Sequence, residues 1–395
     1  MLEKKKVLFA YPAMNIGGST TCLLSILHGL DYNKYDVDLL LNSNTGDLLD
    51  MIPKQVNILS PALKYQSKLS EYLHRFFSPR YLFHYIKSRR IIKQTGLWIR
   101  GAQYLELNDV EFFRNIDTEY DVAVAALEGD RCKFVARHIN AKKKIAWIHI
   151  NYKDAKFDPE YDRSTMCMFD NIVFVSEECK IAFDVLFPEL INKTVIIENI
   201  LSSDLVRQRA EMSNGKNVDD LKINMVTVCR VTFDSKGLDR AIDVLTRLKE
   251  EGYLSNLVWY IVGDGGDMES LKKLISDNSL KDHIKLLGVQ TNPYPYLKDM
   301  SMFFLPSRWE GKPMVVTEAF MMGLPALVTE YSSAREQVRD GVDGIIVENS
   351  EAGIYEGLKR IIEHPEIIPE LKKNVINTDY SNVEEIKKVE QLLDE

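Results

Sequence analysis

The chain alternates short apolar runs with helical stretches along most of its length, and this alternation constrains its fold more than any other feature. Short apolar runs bounded by turn residues are typical of buried strands. In the first half we predict a helix at about 19–30 and strands at 6–11, 36–41, 121–125, 144–148, 171–175 and 194–197. Strands that alternate with helices favour a mainly parallel sheet covered by helices on both faces.

The second half repeats this pattern after a polar stretch at 202–220, which is the best candidate for a linker. We predict strands at 225–229, 257–262, 284–287, 302–305 and 325–328, helices at 237–250 and 267–278, and a last helix at 380–395. A chain of 395 residues is too long for one ordinary core and suits two domains of roughly 200 residues each. The sequence therefore predicts two Rossmann-like α/β halves.

Composition excludes several classes of protein. Hydrophobic residues make up 45% of the chain and charged residues 27%, which is typical of a folded soluble protein. Neither a run of eighteen apolar residues nor a signal peptide is recognisable, so we expect a cytoplasmic protein. The five scattered cysteines never form a C-x-x-C, which argues against disulfides and a zinc site. A net charge of -8 argues against nucleic-acid binding.

One segment departs from this acidic average. Residues 64–100 contain nine Lys or Arg and a single acid, Glu71, among many aromatic and aliphatic side chains. An anionic membrane surface attracts a helical segment of this kind. A solvated pair of helices with inward-facing aromatic rings would have the same composition, so both interpretations stay open.

The segment 302–330 carries the strongest functional signal. It reads as strand, loop, helix and strand, so its loop opens at the carboxyl end of a parallel strand. Pro313 suits the first position of the helix, which leaves the free amides of Met314 and its neighbours directed at an occupant of the loop. An anion is the natural occupant. Glu310 in the loop and Glu318 in the helix could contact opposite ends of one ligand.

This E-x7-E arrangement, followed by a small-residue helix and Gly-Leu-Pro, resembles the retaining nucleotide-sugar glycosyltransferases of the GT-B type, family GT4 (glycosyl transferases group 1), in particular those of capsule and exopolysaccharide synthesis. The resemblance implies two Rossmann-like domains that face each other across a cleft. Residues 201–379 would bind the nucleotide sugar and residues 1–200 the acceptor, and the helix at 380–395 would cross back to the first domain.

The resemblance also implies a set of donor-binding residues. Arg230 and Lys236 lie at a strand end, where ligands sit in such sheets, and would bind the donor diphosphate; surface cations that cap a helix are the alternative. Glu310 would hold sugar hydroxyls, Glu318 the ribose, and His149 would steady the donor sugar. The remaining predicted donor-binding residues are Gly17, Gly18, Gly263, Val289, Gln290, Gly311, Lys312, Pro313, Met314 and Val315.

Several of these signals are weak by themselves. Ordinary turn chemistry explains the glycines nearly as well as a ligand does. Lys312 occupies a position that is aromatic in many relatives, and its role stays open. Asp36-Val37-Asp38 has the D-x-D form of a metal site but begins a strand, so it lies at the wrong edge. No metal or other cofactor is expected.

The predicted reaction is transfer of a sugar from a nucleotide diphosphate donor, expected to be a UDP-sugar, to a hydroxyl acceptor with retention. A lipid-linked glycan at the inner membrane face is the hypothesis for the acceptor. Two alternatives are an epimerase or glycoside phosphorylase on the same architecture, and a non-catalytic module that binds sugar nucleotides. The complete loop argues against the first, and the presence of both Glu310 and His149 against the second.

Overall fold

The computed structural model describes residues 4–59, 77–109, 116–201, 203–211, 218 and 221–395. The chain divides into two compact units, Met1–Ile200 with Glu384–Glu395 (unit 1) and Leu201–Val383 (unit 2). Within the described residues, no helix combines the length and hydropathy needed to cross a membrane. Of the basic segment predicted at 64–100, residues 64–76 lie outside the described part of the chain.

Unit 1 contains a seven-stranded parallel sheet in the order β3-β2-β1-β4-β5-β6-β7. Its strands are β1 Lys5–Tyr11, β2 Tyr35–Leu41, β3 Asn57–Ile58, β4 Ile116–Ala125, β5 Ile139–Ile148, β6 Asn171–Phe174 and β7 Thr194–Ile196. Its helices are Gly18–Gly29, Pro79–Thr95, Trp98–Asp109, Asp130–His138, Pro159–Met166, Glu177–Leu186 and Ile386–Asp394, with short 3-10 turns at Leu49–Met51 and Pro188–Lys193. The central strands are buried on both faces, as expected where helices cover a parallel sheet.

Unit 2 contains a six-stranded parallel sheet in the order β10-β9-β8-β11-β12-β13. Its strands are β8 Ile223–Val228, β9 Leu257–Val262, β10 Ile284–Gly288, β11 Met302–Leu305, β12 Ala326–Thr329 and β13 Gly344–Val347. Its helices are Ser203–Ala210, Phe233–Lys236, Leu238–Glu250, Met268–Asp277, Tyr294–Leu297, Met314–Met321, Ala334–Gln337, Glu351–Glu363 and Ile367–Ile376. A 3-10 turn lies at Tyr253–Asn256, and another, Val383–Glu385, spans the point in the sequence where unit 2 ends and unit 1 resumes. A hydrophobic core that includes Trp259, Phe304 and Leu358 fills the space between sheet and helices.

The last helix belongs to unit 1. Its apolar residues Val389, Leu392 and Leu393 are buried, and the side chain of Lys5 donates hydrogen bonds to the carbonyls of Leu393 and Asp394 at 3.1 and 2.7 Å. The helix begins at Ile386 instead of residue 380. Residues 380–383 stay with unit 2.

Two local predictions were wrong. The stretch predicted as a linker contains the helix Ser203–Ala210, which buries Val206 and Ala210 in unit 2. The stretch was predicted as a linker because most of its residues are polar, although these two apolar residues have the helical spacing of four. Pro313 does not begin its helix: it precedes Met314 in an extended conformation, with φ -68° and ψ 111°.

Candidate donor-binding site in unit 2

The order of the strands in unit 2 places a crevice at β8. This strand lies between β9 and β11, so the loops that follow β8 and β11 depart to opposite sides of the sheet. Ligands of open α/β sheets bind at such a switch point, outside the carboxyl ends of the strands. The loop after β8 carries Arg230 and Lys236, and the loop after β11 carries Glu310. The fold therefore brings three of the predicted site residues to one edge.

Lys236 and Glu310 form an ion pair at this edge. The Nζ atom of Lys236 lies 2.5 Å from Oε1 of Glu310, and the hydroxyl of Ser307 donates to the same oxygen at 2.6 Å. Glu310 is only 8% exposed. Arg230, by contrast, is exposed, and its side chain makes neither a hydrogen bond nor an ion pair with any residue of the described ranges. The site thus combines a neutralised pair with a cation open to an anionic ligand.

The loops after β8 and β11 touch each other directly at Gly237. This residue has φ +61°, and a Cβ atom there would lie 2.3 Å from the carbonyl oxygen of Pro306. The amide of Arg308 also donates to the carbonyl of Ser235 at 2.7 Å. Glycine is therefore required at 237 by conformation and by packing.

The helix Met314–Met321 begins beside Glu310. The amides of its first two residues, Met314 and Val315, have no carbonyl within the helix to which they could donate. The carbonyl of Pro313 accepts hydrogen bonds from Gln337 at 2.8 Å and from the amide of Val316 at 3.1 Å. Gly311 is buried, whereas Lys312 and Val315 are half-buried.

Glu318 is buried within this helix, and its carboxylate accepts a hydrogen bond from the hydroxyl of Tyr294 at 3.0 Å. Burial raises the pKa of Glu318 to about 6, while Tyr294 and Arg209 act in the opposite direction. The guanidinium of Arg209 lies 4.7 Å from the centre of the Tyr294 ring. The sequence did not indicate the contact of Tyr294 with Glu318, and Arg209 lies in the stretch predicted as a linker.

The predicted glycine after β9 has a packing function. Gly263 has φ +134°, and a Cβ atom would lie 1.9 Å from the carbonyl oxygen of Cys229. After β10, Val289 is 55% exposed, and Gln290 donates to the carbonyl of Leu287 at 2.9 Å and accepts from Tyr296 at 3.0 Å. Contact between adjacent loops therefore explains Gly263 without a ligand.

Unit 1 has its own switch point at β1, which lies between β2 and β4. Gly17 precedes the helix that begins at Gly18, and the hydroxyl of Tyr11 lies 2.7 Å from that of Ser19. With φ 171°, Gly17 has an extended backbone open to any residue, and a Cβ atom would meet nothing closer than Thr20, at 3.9 Å. Packing and conformation therefore give no reason for glycine at 17.

His149 follows β5 and lies beside a carboxylate that the sequence analysis missed. Its amide donates to Oε2 of Glu128 at 3.0 Å. Burial lowers the pKa of His149 to about 4, although hydrogen bonds with Ala126 and Asn199 act in the opposite direction, so its ring is neutral at pH 7. Burial also raises the pKa of Glu128.

Comparison with known proteins finds a family match for part of the chain. The sequence profile described as "Glycosyl transferases group 1" matches residues 208–381, the range that contains the β8 and β11 loops. Residues 208–381 belong to the glycosyl transferases group 1 family. The resemblance inferred from the E-x7-E segment is thereby confirmed for this group 1 glycosyltransferase region.

Two curated relatives are similar to part of the chain. An uncharacterized glycosyltransferase of Methanocaldococcus jannaschii is 27% identical over 209 residues, which is 50% of this chain and 51% of the relative. The UDP-Gal:alpha-D-GlcNAc-diphosphoundecaprenol alpha-1,3-galactosyltransferase of Escherichia coli is 29% identical over 146 residues, which is 37% of this chain and 38% of the relative. The chain thus spans about half, or less, of the length of these curated relatives.

A solved structure covers more of the chain. Anabaena Alr3699/HepE in complex with UDP and glucose matches with a TM-score of 0.68 and 16% identity, over 99% of both chains. This likeness confirms the predicted GT-B class, with two α/β units of parallel strands. The individual site residues stay predictions. Among the described residues, no group of three or more His, Cys, Asp or Glu side chains is arranged to hold a metal ion.

Proposed function

We propose that the chain is a retaining glycosyltransferase that moves a sugar from a nucleotide diphosphate sugar, expected to be a UDP-sugar, to a hydroxyl of a lipid-linked glycan in cell-surface polysaccharide synthesis. The observation that carries this proposal is the Lys236–Glu310 pair at the β8–β11 switch point, beside the exposed Arg230. The UDP-galactose donor of the Escherichia coli relative and the UDP in the Anabaena complex support a UDP-linked donor, and the diphosphoundecaprenol acceptor of the former supports a lipid-linked acceptor.

The cations suit a leaving diphosphate. When the bond between the sugar and the phosphate breaks, negative charge develops on the diphosphate, and fixed positive groups stabilise that transition state. Lys236 donates one of its three N–H groups to Glu310, which leaves two for phosphate oxygens. Arg230 and the first amides of the helix Met314–Met321 would supply further donors. We propose that side chains and amides do this work without a metal ion.

The two glutamates would bind the two ends of the donor. Glu310 is held by Lys236 and Ser307 through one oxygen, so its other oxygen can accept a hydrogen bond from a sugar hydroxyl. Glu318 accepts from Tyr294 through Oε1, and we assign Oε2 to the ribose hydroxyls. Because its pKa is about 6, Glu318 is mostly ionised at pH 7 and acts as an acceptor.

Retention follows from attack on the face from which the diphosphate leaves. We propose that the acceptor oxygen bonds to the anomeric carbon as the carbon–phosphate oxygen bond breaks. The acceptor proton passes to the departing phosphate oxygen, so no protein nucleophile is needed. We propose that the neutral His149 steadies the donor sugar.

We further propose a peripheral location at the inner face of the plasma membrane, carried by the helix Pro79–Thr95. Ser88 and Ile91 of this helix are buried, whereas Leu82, Phe83 and Ile86 are 48%, 63% and 46% exposed. The exposed cations Arg89, Arg90 and Lys93 lie on the same outward side, at helical spacings of seven and eleven from these apolar residues. No acid occurs between residues 77 and 105. Apolar and cationic side chains on one face suit anionic lipid.

Vesicle co-sedimentation tests this location. We expect the protein to sediment with vesicles that contain anionic phospholipid and to remain in solution with zwitterionic vesicles. Neutralising Arg89, Arg90 and Lys93 together should abolish sedimentation. Neutralising the exposed Lys272, Lys281 and Lys298 of unit 2 should leave it unchanged. Equal binding to both kinds of vesicle would contradict the proposal.

A screen of nucleotide sugars by thermal shift, followed by a transfer assay with the best ligand, tests the reaction. The configuration of the product at the anomeric carbon, read by proton NMR, tests retention. Activity that survives Glu310→Ala and Lys236→Ala together would remove the proposed site. Lys272→Ala is the matched control, because Lys272 pairs with Glu269 on the exposed face of the helix Met268–Asp277.

A further inference from the structure

Arg240 is a buried arginine in the first turn of the helix Leu238–Glu250. Its Nη2 atom donates to the carbonyl oxygens of Pro306 and Ser307 at 2.8 and 3.0 Å, and Nε reaches Pro306 at 3.3 Å. Nη2 also donates to the side chain of Asn349 at 2.6 Å, and Nη1 to its carbonyl at 3.3 Å. The guanidinium therefore holds the loop after β11 at its start, a few residues before Glu310.

The carbonyl oxygen of Pro306 also lies against the loop after β8. A Cβ atom on Gly237 would lie 2.3 Å from the oxygen of Pro306 and 2.8 Å from Nε of Arg240. Lys236 directly precedes Gly237, and Ser307 directly follows Pro306 and donates to Glu310 at 2.6 Å. The distance between Lys236 and Glu310 thus depends on how the turn that contains Gly237 and Arg240 docks on Pro306.

Arg240 differs from its neighbour Arg308 in how its charge is compensated. Arg308 forms a bidentate ion pair with Asp239, with N–O distances of 2.7 and 2.8 Å. Arg240 forms no ion pair with any described residue and bonds to carbonyl groups instead. Burial lowers the pKa of Arg240 to about 10, so it stays charged at neutral pH. A buried charge persists only where its hydrogen bonds are satisfied, so this contact is specific.

We propose that Arg240 is a positioning residue for sugar transfer: it clamps the Pro306–Ser307 carbonyls against the helix Leu238–Glu250, and so holds Lys236 and Glu310 in register. The inference rests on the proposed function. Arg240 touches no substrate. Its effect reaches the reaction through Lys236, which binds the diphosphate, and through Glu310, which binds the sugar. A displacement of about 1 Å between catalytic groups can lower a rate about 100-fold.

The test compares two variants. Arg240→Met keeps an apolar side chain but removes all the N–H donors of the guanidinium. Arg240→Lys keeps the positive charge but removes the planar group that donates to several carbonyls at once. Arg247→Met is the matched control, because Arg247 is exposed on the same helix and pairs with Glu251 at 2.9 Å. For each variant, kcat is measured well below its unfolding temperature, and the Kd of the nucleoside diphosphate is measured separately. We expect kcat to fall about 100-fold in Arg240→Met and about tenfold in Arg240→Lys, with a Kd within about threefold of wild type. Arg247→Met should match wild type.

Two results would overturn the inference. One is a folded Arg240→Met variant with wild-type kcat. The other is a variant in which kcat and the amount of bound diphosphate both fall by the same factor as the fraction of folded protein. A purely structural role of Arg240 predicts this result. If Arg240→Met does not fold, Asn349→Ala is tested instead, because it removes the side chain that accepts a hydrogen bond from the Arg240 guanidinium. This variant should have a lower kcat and an unchanged Kd. An unchanged kcat would again contradict the inference. Wild-type protein without transferase activity would instead contradict the proposed function.

Discussion

The two units place chemically different groups at their switch points. In unit 2, the loops after β8 and β11 carry Arg230, Lys236 and Glu310, and the buried Arg240 donates to the Pro306 carbonyl in the β11 loop. In unit 1, the loops after β1 and β5 carry Gly17, hydroxyl groups and a His149 that is neutral at pH 7. A diphosphate requires fixed cations, whereas a sugar or an acceptor hydroxyl requires neutral hydrogen-bond partners.

The glycines show the same contrast. Gly237 and Gly263 in unit 2 have positive φ angles and backbone contacts that a Cβ atom would violate. Gly17 in unit 1 has neither property. Unit 2 therefore uses glycine to build a rigid site from adjoining loops. Neither packing nor conformation within unit 1 requires glycine at position 17.

The largest expected effect comes from Lys236→Met, which removes a cation from the diphosphate site. We expect kcat/KM to fall by about 10²- to 10³-fold, because one fixed donor to a developing charge contributes about that much. Steady-state transfer kinetics measure it, with Lys272→Met as the control. A fall in kcat/KM of less than about threefold would show that the diphosphate binds elsewhere. The difference between the two units would then not reflect diphosphate binding.

Gly263→Ala should lower the free energy of unfolding by about 2–4 kcal/mol, because a methyl group would overlap the carbonyl of Cys229 in a strained conformation. Gly252→Ala is the matched control: Gly252 also has a positive φ, +84°, but a Cβ atom would meet nothing within 4 Å. That variant should lose only about 1 kcal/mol. Chemical denaturation measures both, and equal losses would show that the close contact does not matter.

Glu318→Gln should flatten the pH dependence of stability. The pKa of Glu318 is raised from 4.5 to about 6 in the folded protein, so its contribution is favourable below pH 4.5 and is lost as the pH rises through 6. The loss amounts to about 2 kcal/mol. Unfolding free energies of wild type and variant between pH 4 and 8 measure it. A difference between the two that does not vary with pH would contradict the burial argument.

Gly17→Ala is expected to have the smallest effect on stability, within about 0.5 kcal/mol, because the methyl group meets no close atom. Donor affinity should nevertheless weaken if the donor approaches the backbone here. Denaturation and ligand titration of the same variant separate the two quantities. A large loss of stability would show that Gly17 has a packing function after all.

The sequence predicted eleven of the thirteen described strands, because buried parallel strands leave a local signal, but it did not predict β3 and β13. The bounds of β9 and β11 agree with the predicted ones residue for residue. The E-x7-E segment identified the family because its spacing is also local. The helix Ser203–Ala210 was not predicted because it has few apolar residues and many polar ones.

The rest of the site depends on contacts between residues distant in sequence. Arg240 lies 66 residues from Pro306 along the chain, and Tyr294 lies 24 residues from Glu318. Glu128 meets His149 only because β4 and β5 are neighbours in the sheet. No periodicity reports such proximity, and only the folded register of the strands creates it.

The central claim is that the carboxyl ends of β8 and β11 bind the diphosphate of a sugar nucleotide. Calorimetric titration of the best nucleoside diphosphate and of its parent nucleoside, with wild type and with the double variant Arg230→Met, Lys236→Met, tests this most directly. We predict that wild type binds the diphosphate at least about 100-fold more tightly than the nucleoside, and that this ratio falls to about tenfold or less in the variant. An unchanged ratio would contradict the claim.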